Sequence, residues 1–236
     1  MRRAWRSRRC FADDETGTFW FNREPVPVSF LLAAAGGSTL RSGIFTVFDS
    51  MLSLVGLPGS GKSSVGKAVA RRLGRTWHDS DHEIEAQLGC TIREYFALEG
   101  EDAFRDREEE ALDSLSLTPS IVLSTGGGAV LREINRQRLK ERGTVIYLRS
   151  SPEALYRRLK NDTKRPLLQV ADPLKRLRAL YAERDPLYRE CAHFVIDTHG
   201  SSLSMLVNRI MMQLELAEGG AHGGQPGTAS AGDGGS

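Results

Sequence analysis

A glycine-rich turn between an apolar run and an amphipathic stretch constrains this chain more than any other feature. The turn, Gly56-Leu57-Pro58-Gly59-Ser60-Gly61-Lys62-Ser63, satisfies the pattern G-x-x-x-x-G-K-[ST] at every fixed position. The preceding run, Met51–Val55, predicts a buried strand, and residues 62–73 place apolar side chains on one face of a helix. Glycines allow successive backbone N–H groups to converge on phosphate oxygens, and the helix N-terminus adds partial positive charge. The stretch therefore predicts a phosphate-binding loop.

The side chains of this loop have distinct expected roles. Lys62 is long enough to reach the β- and γ-phosphates of a nucleotide, and the Ser63 hydroxyl can ligate Mg²⁺. Four neighbouring residues are expected to hold the phosphates with them: Gly59, Ser60, Gly61 and Ser64. A chance glycine turn is the alternative, and the strand and helix on either side make it the weaker interpretation.

The charge of the chain is concentrated near its beginning. The sequence has 236 residues with 32 Lys+Arg and 30 Asp+Glu; residues 1–50 hold seven and five of these, which leaves 25 of each in residues 51–236. No basic surplus in the larger part indicates a nucleic-acid partner. Three widely spaced cysteines without a C-x-x-C motif argue against a disulfide framework or a zinc site, and they favour a reducing cytoplasm.

Changes of pattern divide the chain into three parts. Residues 51–218 alternate apolar runs with amphipathic stretches, which predicts one α/β domain. Residues 1–50 resemble neither a secretory signal nor a transit peptide, and their apolar run at 28–35 is too short to span a bilayer. We expect a poorly ordered extension that reflects a start codon assigned too far upstream, since Met51 begins the first predicted strand. Residues 219–236 hold eight glycines without periodicity and are expected to be disordered.

Two carboxylates follow the second predicted strand. Residues 76–78 read as a brief strand that ends at Asp79 and Asp81. Positions two apart on an extended segment face the same way, and α/β sheets bind ligands at the carboxyl ends of their strands. Helix capping is the alternative role for Asp81, and it is compatible with a functional one. We expect both carboxylates to point into the site of the phosphate loop.

The remaining apolar runs predict three more strands, at 121–124, 144–148 and 193–197, with helices between them. The first of these strands ends in three consecutive glycines at 126–128, whereas a tight turn needs only one or two. We therefore expect the backbone there to pass very close to a ligand.

Two further segments carry basic residues whose local context leaves their role open. A charged helix predicted from 101 to 117 contains Arg105, which taken alone reads as a solvated surface charge. Residues 157–165 hold five basic side chains ahead of Pro166. That composition suits a mobile lid that closes on phosphates, with a plain surface loop as the alternative.

Taken together, these motifs resemble bacterial shikimate kinase across residues 51–218. The resemblance rests on the phosphate loop, the two carboxylates and the three glycines, in the family's order. It also rests on three segments that carry arginines: Phe104-Arg105, Arg165-Pro166-Leu167-Leu168 and Arg184-Asp185-Pro186-Leu187-Tyr188. It implies a three-layer P-loop kinase fold, in which helices flank a five-stranded parallel sheet of order 2-3-1-4-5, with a mobile lid. It further implies a monomeric enzyme that transfers the γ-phosphoryl group of ATP to the 3-hydroxyl of shikimate, in the pathway to chorismate and the aromatic amino acids.

The resemblance implies catalytic and metal-binding roles for five residues. Lys62 and the lid residue Arg165 would stabilise the transferring phosphoryl group of ATP. Asp81 would hold the reacting hydroxyl and accept its proton. Ser63 would ligate Mg²⁺, which Asp79 would reach through water.

On the substrate side, the resemblance implies that Arg105 and Arg184 bind the shikimate carboxylate while Gly127 offers its backbone. Planar guanidinium groups suit this role because they can bind a carboxylate through two parallel hydrogen bonds. The sequence departs from the family at 198–201, where an arginine often lies against the adenine and this chain has Thr-His-Gly-Ser. Arg158 could contribute to the adenine site from the other side.

Three other functions compete with this interpretation. A gluconate-type kinase of the same fold would share the phosphate loop, but the three glycines and the pair Arg105 and Arg184 favour shikimate. A nucleoside-monophosphate kinase is disfavoured because no base pocket is evident on the substrate side. A non-catalytic regulator that binds ATP would be expected to have lost the loop lysine, the loop serine or one carboxylate.

Overall fold

The computed structural model describes residues 50–160 and 171–221, together with three short strands nearer the N-terminus. The chain divides into two units, residues 1–44 and 45–236. In the first unit, a small antiparallel sheet is formed by β1 (Phe11–Ala12), β2 (Phe19–Phe21) and β3 (Glu24–Val26). The expectation that residues 1–50 are an extension of the folded domain stays a prediction.

Five parallel strands form the sheet of the second unit. In chain order they are β4 (Met51–Val55), β5 (Thr76–Asp79), β6 (Ile121–Ser124), β7 (Gly143–Arg149) and β8 (Phe194–Asp197). Across the sheet they run β5-β6-β4-β7-β8, which confirms the predicted order 2-3-1-4-5. The central strand pairs on both sides, with Leu54 opposite Ser124 on β6 and opposite Ile146 on β7. The phosphate loop therefore leaves the middle of the sheet.

Helices cover both faces of this sheet. They are α1 (Lys62–Leu73), α2 (Ser80–Leu88), α3 (Ile92–Ser116), α4 (Glu133–Arg142), α5 (Pro152–Leu159), α6 (Pro173–Cys191) and α7 (Leu203–Ala221). One apolar cluster packs α1 and α7 against the sheet. Another packs the four helices α3, α4, α5 and α6 against it. None of these helices is long and apolar enough to cross a membrane, within the part of the chain described.

Every side chain of β4 is buried, because each face of the strand packs under a helical layer. Met51 and Val55 belong to one apolar cluster, and Leu52 and Leu54 belong to the other. A parallel strand covered on both faces needs a continuous apolar sequence and not an alternating one. The apolar run ahead of the glycine-rich turn is thus explained by the sheet's central position.

Local sequence signals account for most helix boundaries. Thr91 begins α3 through a reciprocal capping box with Glu94. The charged helix predicted from 101 to 117 is the second half of α3 and not a separate helix. Gly100 produces a kink, since its φ of 87° and ψ of 177° are not helical, but the helix resumes at the next residue. Helix α6 continues past Pro186.

Part of the predicted lid lies outside the described residues. Residues 161–170, which include Arg165, are not among the described residues, so the role predicted for Arg165 stays a prediction. Arg157 and Arg158, at the start of the basic segment, lie in the last turn of α5. At the other end of the domain, α7 extends to Ala221, three residues beyond the predicted boundary at 218.

Candidate active site

The N-terminus of α1 is built to receive an anion. Gly61 occupies the N-cap position with a φ of 99°, in the left-handed region that glycine tolerates best. Among the described residues no side chain caps this helix, and its first turn contains no acidic residue. The unpaired N–H groups and the helix dipole therefore combine without internal competition for a bound anion.

The side chain of Lys62 is held inside the loop that precedes it. Its Nζ donates hydrogen bonds to the carbonyl oxygens of Gly56 (2.7 Å) and Leu57 (3.0 Å), and the residue is 8% exposed. At its backbone, the Lys62 carbonyl accepts a hydrogen bond from the Ser124 hydroxyl at 3.1 Å. Ser124 in turn accepts one from the Trp77 indole at 3.0 Å, so neighbouring strands fix the start of α1. Lys62 is thus a buried cation placed at the helix terminus.

A cavity of about 200 Å³ opens at this terminus. It is lined by Pro58, Gly61, Lys62, Ser63, Ser64, Asp79, Asp81, Thr125 and Gly127. Seven of the residues predicted for the site meet here, from the loop, from the end of β5 and from the glycine turn. Thr125, which the sequence did not single out, is the second lining residue from the segment after β6.

Two of the loop residues predicted to bind phosphate, Gly59 and Ser60, lie outside this lining. Gly59 has a φ of 81°, and a Cβ there would come within 2.6 Å of Leu159, so its smallness serves the packing of the loop against α5. The hydroxyl of Ser60 is buried, and no group among the described residues hydrogen-bonds to it. A buried hydroxyl without a partner is unfavourable unless a ligand satisfies it.

Ser63 and Asp79 form the oxygen pair nearest the helix terminus. The Ser63 hydroxyl donates to Oδ2 of Asp79 at 2.8 Å, while Oδ1 of the same carboxylate accepts from the backbone N–H of Asp81 at 3.2 Å. Asp79 is therefore the N-cap of α2, the role that the sequence left open for Asp81. No cluster of three or more His, Cys, Asp or Glu side chains that could hold a metal occurs in the described ranges. Two hard oxygen donors beside a phosphate site suit Mg²⁺, which usually keeps water and phosphate oxygens as its other ligands.

Asp81 has an acidity unlike that of an ordinary aspartate. Burial, followed by the charges of Asp79 and Glu108, raises the pKa of Asp81 to about 6, while Lys62 opposes this shift. The two aspartates meet because the strand ends at Asp79 and the helix begins at once, which differs from the extended spacing expected from the sequence. A carboxylate with a pKa nearer neutrality is a stronger proton acceptor than usual.

Each of the three consecutive glycines makes room for one protein group. A Cβ on Gly126 would overlap the Asp81 carboxylate, and one on Gly128 would overlap the guanidinium of Arg105. A Cβ on Gly127 would come within 2.7 Å of Cδ of Pro58 in the phosphate loop. The sequence predicted close approach of a ligand here, and the structure attributes the close approach to three functional parts of the protein itself. The turn therefore brings Asp81, the phosphate loop and Arg105 together.

Arg105 points towards this turn from α3 and lies outside the cavity lining. Its Nη1 contacts Oε2 of Glu108 at 2.6 Å, and its Nη2 contacts Oε1 of Glu101 at 2.8 Å. The rings of Phe96 and Phe104 flank the guanidinium, with centroids 5.9 and 5.4 Å from its carbon. Only 12% of the Arg105 side chain is exposed, so it is not the solvated surface charge that its local sequence suggested.

Arg184 reaches the same turn from α6. Its Nη1 donates to the carbonyl oxygen of Gly127 at 3.0 Å, and the buried hydroxyl of Tyr188 donates to the same oxygen at 2.6 Å. The Tyr188 ring stacks on Tyr147, with centroids 4.9 Å apart. Because both acceptor positions of this carbonyl are used, the N–H of Gly127 is the backbone group left to offer a substrate.

A second cavity lies between α5 and the segment after β8. It is lined by Ala154, Arg157, Arg158, His199 and Gly200. Arg158 donates to the carbonyl oxygen of Thr198 at 3.2 Å, which ties the two walls together. Arg158 and the segment 198–201, both considered for the adenine site in the sequence, thus line the same cavity.

Three positioning groups were missed from the sequence. Ser80, fully buried, accepts a hydrogen bond from the backbone N–H of Gly126 at 2.9 Å and so joins the carboxylate segment to the glycine turn. Glu108 holds Arg105, and burial raises the pKa of Glu108 although Arg105 opposes the shift. Tyr188 holds Gly127. The only sequence signal for Glu108 was its position three residues after Arg105, a spacing that places two side chains on one helix face.

Comparison with protein families gives one assignment for this domain. Residues 58–215 match the family model described as shikimate kinase. This range contains every predicted site residue.

Individual relatives agree with the family match. A curated shikimate kinase from Burkholderia thailandensis is 58% identical over 163 residues, which cover 69% of this chain and 89% of that protein. One from Paracidovorax citrulli is 57% identical over 169 residues, covering 70% and 92%. Among solved structures, a shikimate kinase from Acinetobacter baumannii in complex with shikimate superposes with a TM-score of 0.68 at 46% identity, covering 71% of this chain and 93% of that one.

Proposed function

This chain belongs to the shikimate kinase family and is an ATP-dependent kinase, and from that premise we propose how its own residues carry the reaction. The reaction transfers the γ-phosphoryl group of ATP to the 3-hydroxyl of shikimate and yields shikimate 3-phosphate and ADP.

One observation carries the assignment of residues. The cavity at the N-terminus of α1 contains both a phosphate site, around Lys62, and a carboxylate of raised pKa, Asp81. The glycine turn connects this cavity directly to Arg105 and Arg184. Phosphate donor, proton acceptor and carboxylate-binding groups therefore adjoin one another, as phosphoryl transfer to an acidic alcohol requires.

The phosphates of ATP occupy the uncapped terminus of α1. Backbone groups of Gly59 to Ser64 bind the β- and γ-phosphates, and Lys62 exchanges its two loop carbonyls for phosphate oxygens. The unpartnered hydroxyl of Ser60 fits the same role. The oxygens of Ser63 and Asp79 would hold Mg²⁺, which supplies charge neutralisation at the phosphates.

Asp81 is the proton acceptor for the reacting hydroxyl. As the hydroxyl oxygen bonds to the γ-phosphorus and the bond to ADP breaks, the hydroxyl proton passes to the Asp81 carboxylate. Neighbouring carboxylates and burial favour this protonated product state, because they raise the pKa of Asp81 to about 6. The base is thus ionised before transfer at neutral pH and still able to hold the proton afterwards.

The carboxylate of shikimate binds to Arg105 and Arg184, with the Gly127 N–H on the substrate. Both arginines reach the glycine turn from separate helices, α3 and α6, so together they can hold an anion from two sides. This arrangement fixes the distance between the anionic end of the substrate and Asp81, and so selects which hydroxyl reacts.

The adenine of ATP occupies the second cavity, between Arg158 and His199. Both side chains offer flat groups on which an aromatic base can stack, and the cavity lies beside the end of the phosphate loop, where Gly59 contacts α5. His199 thus takes the side on which the family often has an arginine.

We assign the last role in the site to Arg165, which is not among the residues that the structure describes. The family resemblance supports its role in neutralising charge on the moving phosphoryl group, together with closure of the lid at 160–168 over the substrates. We further propose that the enzyme acts as a cytoplasmic monomer without nucleic-acid or membrane partners. The equal numbers of basic and acidic residues in 51–236 support the first of these exclusions.

The direct test is a coupled assay of ADP release with shikimate, gluconate and nucleoside monophosphates as acceptors. We expect turnover with shikimate at least about 10³-fold above that with the others, since only shikimate matches both the anion site and the base. Formation of shikimate 3-phosphate should be verified by mass spectrometry. Preference for gluconate or for a nucleotide acceptor would reject the substrate assignment.

A further inference from the structure

The guanidinium of Arg105 has one edge, Nε–Nη2, on which only one of the two nitrogens has a hydrogen-bond partner among the described residues. Nη1 is paired with Glu108, whereas the opposite edge, formed by Nε and Nη2, is paired with Glu101 through Nη2 alone. The buried Nε has no hydrogen-bond partner among the described residues. This Nε–Nη2 edge is one of the two pairs of parallel donors with which an arginine can bind both oxygens of a carboxylate.

The two glutamates differ sharply in their freedom to leave Arg105. The side chain of Glu108 is 2% exposed, so separation from Arg105 would leave a buried and uncompensated charge. The side chain of Glu101 is 60% exposed and can exchange its ion pair for water at little cost. Glu101 also directly follows Gly100, where α3 is kinked, so it belongs to the first turn of the resumed helix.

We propose that Glu101 is an exchangeable counter-ion for Arg105, which the carboxylate of the acid substrate displaces. In the substrate-free enzyme, Glu101 occupies Nη2 of the guanidinium. The incoming carboxylate then takes both Nε and Nη2, which gives two hydrogen bonds where Glu101 made one. Glu101 therefore lowers the affinity for the acid and sets its value.

This role rests on the proposed binding of the shikimate carboxylate by Arg105. It adds a competition that the carboxylate assignment alone does not require. Exposed ion pairs between side chains one helical turn apart are weak, so loss of the competitor should strengthen substrate binding by about two- to fivefold and not by orders of magnitude.

The test compares Glu101→Gln with Asp102→Asn in the full-length protein. Asp102 is exposed, carries the same charge in the same helical turn and does not contact Arg105 in the structure. Glu101→Gln is expected to lower KM for shikimate and its Kd by calorimetry about two- to fivefold, with KM for ATP unchanged. Asp102→Asn controls for general loss of negative charge at the turn and should leave both constants unchanged.

Shikimate methyl ester provides a second comparison, since it keeps the ring hydroxyls but lacks the negative charge. Its Kd should be the same for the wild type and for Glu101→Gln. An unchanged or raised KM for shikimate in Glu101→Gln would overturn the proposal, as would an equal gain in affinity for the ester.

Arg105→Lys separates the proposed exchange of Glu101 from the proposal that Arg105 binds the shikimate carboxylate. The lysine keeps the charge beside Glu108 but cannot offer parallel donors, so KM for shikimate should rise. If it does not rise, the carboxylate assignment of Arg105 is wrong and the competition falls with it. If it rises while Glu101→Gln has no effect, the carboxylate assignment stands and only the exchange is rejected.

Discussion

The hydroxyl of Tyr188 donates a hydrogen bond of 2.6 Å to the carbonyl oxygen of Gly127, and Arg184 donates to the same oxygen. When Arg184 turns towards a substrate anion, Tyr188 still satisfies this carbonyl. The ring is fully buried against Tyr147, so the hydroxyl has little freedom to move elsewhere. We therefore expect Tyr188 to be a positioning residue, which keeps the glycine turn in place when Arg184 turns to the substrate anion.

Replacement of Tyr188 by phenylalanine tests this role with minimal change of shape. Loss of one buried hydrogen bond, worth about 0.5–1.5 kcal/mol, should raise KM for shikimate about two- to tenfold and leave KM for ATP unchanged. Tyr181→Phe removes a hydroxyl from the same helix but away from Gly127, and it serves as the matched control. Equal changes in the two Michaelis constants of Tyr188→Phe would indicate general destabilisation and not positioning.

The raised pKa of Asp81 predicts the pH dependence of activity. Since the base must be ionised, kcat/KM for shikimate should fall about tenfold per pH unit below about pH 6. The plateau should extend from about pH 7 upward, and the profile should be measured with an assay whose coupling enzymes are not limiting. An unchanged rate down to pH 4.5 would identify a different proton acceptor.

The raised pKa of Asp81 also predicts that stability falls as the pH rises, whereas activity falls as the pH decreases. Asp81 has an ordinary pKa of 3.8 when unfolded and about 6 when folded, so the folded protein binds the proton more tightly. The stabilising contribution of this proton is complete below pH 3.8 and is lost as the pH rises through 6. Asp81→Asn should therefore raise Tm at pH 7.5, and the gain should shrink at pH 5, while activity is lost at both.

Lys62→Met removes the buried ammonium but keeps a side chain of similar length. We expect kcat to fall by at least about 10²–10³-fold, because a preorganised charge at the moving phosphates is lost. Lys67→Met is the control, since Lys67 lies on the same helix, exposed over the Trp77 ring. Near-normal turnover by Lys62→Met would remove this residue from the mechanism.

Gly128→Ala tests whether the turn must leave space for Arg105. The added methyl overlaps the guanidinium nitrogens, so Arg105 must move and KM for shikimate should rise about ten- to hundredfold. Gly74→Ala controls for the loss of a glycine as such, because a Cβ there meets no atom within 4 Å although its φ is 66°. That control should lower stability without a selective effect on shikimate.

The independence of the kinase domain from the preceding residues is also testable. A chain that begins at Ser50 behind an initiator methionine keeps the hydrogen bond from Arg75 to the Ser50 carbonyl, at 2.9 Å. We expect its kcat and both KM values to stay within about twofold of those of the full chain. A loss of activity that is restored by adding residues 1–49 as part of the chain would assign them a function.

Most of the fold was predictable because its determinants are local or periodic. The run at Met51–Val55 and the helix after Gly61 follow from apolar spacing and glycine positions, and the sheet order follows from the family resemblance. Gly100 was harder, because a positive φ is equally compatible with the end of a helix and with a kink, and only the packing of the second half on the sheet decides between them.

The functional geometry was less accessible from sequence because it depends on contacts between distant segments. Spacing along the helix would let either Glu108 or Glu109 contact Arg105; only the burial of Glu108 distinguishes it from the two glutamates that follow. The sequence predicts space for a ligand at the glycines 126–128, yet the nearest side chains there are those of Asp81, Pro58 and Arg105, which are distant along the chain. Pairings of that kind appear only when the strands are assembled side by side.

The contact between Pro58 and Gly127 has a consequence for how the two substrates bind. Pro58 belongs to the loop that we propose binds the ATP phosphates, and Gly127 to the turn that we propose binds shikimate, and no side chain separates them. A nucleotide that orders the phosphate loop therefore also restrains the glycine turn. Each substrate should then bind more tightly in the presence of the other. Thermodynamic reciprocity requires the two enhancements to be the same factor.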